Sequence, residues 1–134
     1  MQYYSTNKQS EPVDFRSATI SGQPPDKGLY YPSAIPSVSS LLEQPLASWD
    51  RTELSFRIMQ PYVGQTIPDE RLYQIIRETI DFPFPLVQVT PDIFSLELFH
   101  GPTLAFKDVG ARFMSRCLAY FNQGNSKQVT VLVA

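Results

Sequence analysis

The sequence predicts an α/β fold in two parts: a small, mostly helical N-terminal domain over residues 1–82, then the first strand–helix–strand unit of a larger α/β domain over 83–134. Three patterns predict it. Apolar residues recur with a helical period in the front half, most clearly at Leu72, Ile75, Ile76, Thr79 and Ile80. The period falls to that of strands between residues 85 and 99, then returns to helical at Gly110, Phe113, Met114, Cys117, Leu118 and Phe121. The final stretch, 128–134, is a near-continuous apolar run, the pattern of a buried parallel strand. Strand, helix and parallel strand make a right-handed crossover. One crossover cannot cover both faces of a parallel sheet, so the chain is expected to be a fragment of a longer, incomplete α/β domain.

Taken in order, residues 3–6 read as a short strand or extended arm. Ser10 is placed to cap a short helix, with Glu11 and Asp14 in its first turn, Pro12 near its start and Gly22 at its stop. Residues 23–28 form a turn, 29–32 an extended piece, and 37–42 one or two helical turns. Asp50 with Glu53 approximates a capping box for a helix whose expected stripe is Leu54, Ile58 and Tyr62, with Phe56 and Met59 beside it. Gly64-Gln65-Thr66 breaks it. Pro68, Asp69 and Glu70 then start the helix carrying the Leu72–Ile80 stripe, and Pro83 and Pro85 end that region. Residues 85–90 and 94–99 are expected to pair as an antiparallel hairpin turned by Pro91-Asp92. A helix over about 108–122 and a stop at 122–125 precede the last strand.

Composition narrows the function. The chain has 134 residues, 43% hydrophobic and 18% charged, which is globular in character. A net charge of −2 supplies no basic footprint for nucleic acid. No apolar run approaches the roughly 20 residues of a membrane helix, and the first residues lack the apolar core of a signal peptide. A cytoplasmic location is therefore expected. The single cysteine, Cys117, lies on an apolar helix face and reads as a buried, unreactive core residue. No metal site is assigned.

The chemistry concentrates at 96–110. A strand gives way to a loop broken by Gly101-Pro102, and a helix opens just after Lys107 and Asp108. Unpaired N–H groups at a helix start carry partial positive charge. With partial burial among Leu104, Phe106 and Phe113, that field would favour a neutral lysine amine, the nucleophile of Schiff-base chemistry. The same helix end attracts phosphate. The plain alternative is a solvated surface lysine.

Beyond those physical expectations, Leu96-Glu97-Leu98-Phe99-His100-Gly101-Pro102-Thr103-Leu104-Ala105-Phe106-Lys107-Asp108 closely resembles the lysine segment of threonine synthases. Gly28-Leu29-Tyr30-Tyr31-Pro32 followed by Ile35-Pro36 is similar to their N-terminal region and extends the resemblance over nearly the whole chain. Tyr30 and Tyr31 read as packing residues. The resemblance implies a fold type II scaffold and a pyridoxal 5'-phosphate cofactor held by Lys107. The implied reaction converts O-phospho-L-homoserine and water to L-threonine and phosphate, with Lys107 as both carbonyl anchor and acid/base. Phe106 is implied beside the cofactor ring, although a plain core aromatic remains open. Asp108 is expected to cap the helix, and His100 to have a structural or supporting role. Thr103 carries a hydroxyl able to reach cofactor or substrate. The family's loops for substrate carboxylate, cofactor phosphate and pyridine nitrogen are absent from this sequence, so the isolated chain is expected to be inactive. Two other readings are a serine/threonine dehydratase and a non-catalytic binding module. The front domain, and Ala105-Phe106-Lys107-Asp108 in place of a Ser-Phe-Lys-x-Arg-like segment, lean against the dehydratase.

Overall fold

The structure is a computed structural model that describes residues 1–43, 45, 48–126 and 130. Its front sheet is built around β1 (Gln2–Ser5), which pairs antiparallel with β2 (Val13–Asp14) on one side and β3 (Tyr30–Pro32) on the other. Asp26 ties the connecting loops together. Its carboxylate accepts from the Ser5 hydroxyl at 2.6 Å and from the backbone N–H groups of Gln9 and Gly28, each at 3.0 Å. Gly28 lies so close to the Ser5 hydroxyl that no Cβ fits there, which accounts for glycine at that position.

Four helices follow, the first packed against β1 and β2 and the others against one another. The first, α1 (Phe15–Ser21), starts later than the sequence suggests. Asp14 caps it, accepting from the Ser17 N–H at 2.8 Å, while the Ser10 hydroxyl accepts from the Asp26 N–H. The physical reason is pairing: Val13 and Asp14 are held extended against β1, so the helix cannot begin before them. Gly22 then ends α1 with φ +68, a backbone conformation suited to glycine.

Asp50 caps α2 (Arg51–Val63) through the N–H groups of Thr52 and Glu53, as the capping pattern indicates. Its buried edge differs from the expected one. Phe56 and Val63 are buried, Met59 is half-buried against them, and Ile58 is exposed. The i, i+3, i+7 edge through Phe56 is selected by the aromatic contact with Tyr73, whose ring centre lies 5.7 Å away. After a 3-10 turn at Gly64–Thr66, α3 (Asp69–Thr79) buries Leu72, Ile75, Ile76 and Thr79 as its stripe predicts. Thr79 satisfies its hydroxyl inside the core by donating to the Ile75 carbonyl at 2.7 Å.

The hairpin follows as β4 (Leu86–Thr90) and β5 (Ile93–Leu96), antiparallel, with a bulge between Gln88 and Thr90. It is shorter than residues 94–99 suggest. Pro85 and Pro83 have no N–H to donate, so the ladder closes with the Glu97 N–H on the Pro85 carbonyl at 3.0 Å. The hairpin's apolar side chains, among them Leu86, Val89, Ile93 and Leu96, are exposed.

The last described helix, α4 (Asp108–Phe121), returns to the front half. Cys117 and Phe121 enter one core with Phe56, Val63, Ile67, Leu72, Ile75, Ile76 and Ile80. The architecture is mixed α/β, with two small antiparallel sheets and four helices among the described residues. The strand expected at 128–134, and with it the crossover, lies outside the described residues.

Candidate functional site

The approach to the lysine is fixed by arginines. The segment joining α3 to β4 is gripped from two helices. From α2, Arg51 donates to the Phe82 carbonyl at 2.8 Å and lies over the Phe84 ring at 5.0 Å. From α4, Arg112 donates to the Glu78 carbonyl at 2.6 Å, pairs with Asp81 at 2.7 Å and lies over the Phe82 ring at 5.5 Å. Arg116 adds an ion pair to Glu78 at 3.1 Å. Planar guanidiniums suit this combined hydrogen-bonding and stacking role. The Arg112 contact holds the Asp81 carboxyl below its usual value, chiefly by hydrogen bonding.

From β5 the chain runs through Leu98, Phe99 and His100 without regular structure. His100 is hydrogen-bonded to Glu97 at 2.6 Å and stacks on Phe99 with ring centres 4.7 Å apart, a local and partly exposed contact. Two successive turns then carry the chain to the helix: the Leu104 N–H bonds the Gly101 carbonyl and the Asp108 N–H bonds the Ala105 carbonyl, both at 3.1 Å. Leu104 takes φ +57, a left-handed conformation uncommon for a leucine.

Lys107 stands at the N-cap position of α4 with helical backbone angles and no capping side chain. Its carbonyl accepts from the Ala111 N–H at 2.9 Å, so its backbone is already part of the helix. The lysine is exposed and lines an open groove with Phe84, Leu98, Phe106 and Met114, floored near Gly110. The expected burial is not there: Leu104 is 76% and Phe106 66% exposed, because no described element packs over the loop. Of the three residues expected around the lysine, only Phe113 is half-buried, and it packs towards the core and Phe15.

Asp108 also departs from expectation. Its carboxyl does not cap α4 but turns back into the loop, accepting from the Thr103 N–H at 3.0 Å and the Thr103 hydroxyl at 2.7 Å. It is 3% exposed. Gly101 packs against it so tightly that an added Cβ would sit 3.0 Å from its Cβ and Cγ. Sequence reasoning missed this trio. A contact between positions five and seven apart, across two turns, follows no local period, and the only hint was the glycine opening the loop. Thr103 is thereby engaged within the loop and its hydroxyl bonds Asp108.

An apolar groove beside an outward lysine amine fits an aromatic aldehyde anchored through that amine. The described residues thus fit the ring end of pyridoxal phosphate. They offer no glycine-rich cradle for its phosphate.

Fold and geometry together describe a mixed α/β unit that presents an exposed lysine where a loop enters a helix. Residues 2–80 match the family model described as threonine synthase N terminus. The chain belongs to that family. It is 37% identical over 134 residues to threonine synthase of Escherichia coli strain K12, a match covering 100% of this chain and 31% of the relative. The threonine synthase of Saccharomyces cerevisiae is 38% identical over 154 residues, covering 99% of this chain and 30% of its own. The crystal structure of threonine synthase from Escherichia coli superposes with a TM-score of 0.81 at 36% identity, over 90% of this chain and 28% of that one. The X-ray structure of PLP-bound threonine synthase from Brucella melitensis gives 0.84 at 32% identity, over 91% and 27%. The chain thus spans about a third of the length of these relatives. No described helix is long and apolar enough to cross a membrane.

Proposed function

We propose that this chain is the N-terminal part of a cytoplasmic threonine synthase in which Lys107 anchors pyridoxal 5'-phosphate. The full protein would convert O-phospho-L-homoserine and water to L-threonine and phosphate. When bound, the cofactor supplies an electron sink for carbanions beside the amino carbon, which makes loss of the substrate phosphate feasible. Lys107 Nζ would hold the cofactor through its aldehyde and, as a free amine beside the reacting carbons, would carry protons to and from them. Phe106 and Met114 give the ring an apolar wall. On this reading the activity belongs to the full-length protein, since the chain spans about a third of the relatives it matches. The same proposal includes the fold type II scaffold and a division near residues 82 and 83, across which α4 shares the front core.

The observation that carries the reading is Lys107 itself, exposed at the start of α4 on an apolar groove. Borohydride reduction of the full-length protein with pyridoxal phosphate, followed by peptide mapping, tests it. The expected label is on the peptide containing Lys107, and a label elsewhere overturns the assignment. Phosphate release from O-phosphohomoserine, set against deamination of threonine, tests the reaction.

A further inference from the structure

Lys107 and Asp108 are neighbours with opposite fates. The lysine is exposed on the groove, while the aspartate is buried and spends both carboxyl oxygens on Thr103. We propose that Gly101, Thr103 and Asp108 form a clamp that sets the direction and reach of the Lys107 amine, making Thr103 and Asp108 positioning residues; this rests on the reading of Lys107 as the cofactor anchor.

Three features carry the inference. First, the start of α4 lacks an ordinary side-chain cap, since Lys107 occupies the capping position and its side chain accepts no backbone N–H there. What fixes the junction between loop and helix is the Asp108 carboxyl, which pins it to the backbone and hydroxyl of Thr103. Second, both hydrogen bonds of that carboxyl go to Thr103, so this buried group joins the first residue of α4 to the loop that leads into it. It therefore serves the shape of the segment that carries Lys107. Third, Leu104 is held at φ +57 although its side chain is 76% exposed, so packing of that side chain does not impose the conformation. The fixed ends impose it: Leu104 N–H on the Gly101 carbonyl, and Thr103 on Asp108. An uncommon backbone conformation kept without a packing cause marks a segment held for function. A reacting amine gains from such support because small misplacements are costly to rate.

The test uses the full-length protein and follows covalent capture of pyridoxal phosphate at Lys107, by borohydride trapping over time and peptide mapping. The visible absorbance of the bound cofactor is titrated with pH alongside it. Thr103→Val removes the hydroxyl bond and leaves the backbone bond and the side-chain shape. Capture at Lys107 should slow about tenfold, as loss of one charge-assisted hydrogen bond implies. The midpoint of the absorbance titration should move, while the melting temperature should fall by no more than a few degrees, the cost of one buried oxygen left without its partner. Thr103→Ser should restore both readouts. Wild-type capture and titration in Thr103→Val would overturn the proposal, and so would a parallel fall in melting temperature that Thr103→Ser fails to repair. Absence of label at Lys107 in the unaltered protein would overturn the anchor reading and the clamp with it. Normal labelling there, with no effect of Thr103→Val, removes the clamp alone.

Discussion

Arg51 and Phe82 are joined across the fold: the guanidinium at the start of α2 donates to the Phe82 carbonyl at 2.8 Å, with the Phe84 ring 5.0 Å beneath its central carbon. This contact fixes where the chain leaves α3 and heads for the hairpin that precedes the lysine loop. Arg51→Ala in the full-length protein should lower stability by about 1–2 kcal/mol, the sum of a charged hydrogen bond and a partly exposed cation–π contact. Arg51→Lys should recover little of it, because an ammonium cannot combine the fork with the stack. Denaturant titration of both variants checks this, and full recovery by lysine would contradict it.

Gly101→Ala should be costly although the substitution is small. The new methyl would run into the Asp108 carboxyl, so the Thr103 bonds or the turn must give way. A loss of about 1–3 kcal/mol is expected for this overpacking. Gly110→Ala is the control, since a Cβ at Gly110 meets nothing within 4 Å, and its melting temperature should not fall.

The Asp26 carboxyl is held below its ordinary value of 3.8, first by the Ser5 hydroxyl and then by the N–H groups of Gly28 and Gln9. A folded-state value below the unfolded one means that the folded protein binds this proton more weakly. The stabilisation is then fully present above the ordinary value and is lost as pH falls through the lower, folded one. Wild type should therefore outmelt Asp26→Asn by a constant margin above about pH 5. The margin should shrink below pH 3.8. A gap that widens on acidification would refute the sign.

Burial pushes the Cys117 thiol up to about 12. With no exposed surface and little thiolate, it should resist alkylation in the native protein at neutral pH and react once unfolded. Mass mapping of the peptide bearing Cys117 before and after denaturation reads this directly.

What could be read from the residues alone follows the range of the interactions. The α3 stripe, the Asp50 cap and the hairpin depend on neighbours a few positions apart, and the structure carries all three. The late start of α1 depends on Val13 pairing with Tyr3 across the front sheet, which no local pattern reveals. The buried edge of α2 depends on Tyr73, an aromatic partner on another helix. At the site, the lysine's place at the helix start was legible from the change of period. Its exposure and the inward turn of Asp108 were not, because both depend on how the loop folds on itself.

The seat of Cys117 and Phe121 in the core has a consequence for synthesis on the ribosome. The helices that precede the hairpin emerge first, yet their shared apolar surface, including Ile75 and Ile76, lacks its final wall until α4 has left the exit tunnel. During that interval the nascent chain presents a sticky face with nothing yet made to cover it, as incompletely folded intermediates do. The front helices thus depend on a helix not yet translated, and the lysine loop is delivered in the same stretch of chain that closes the core.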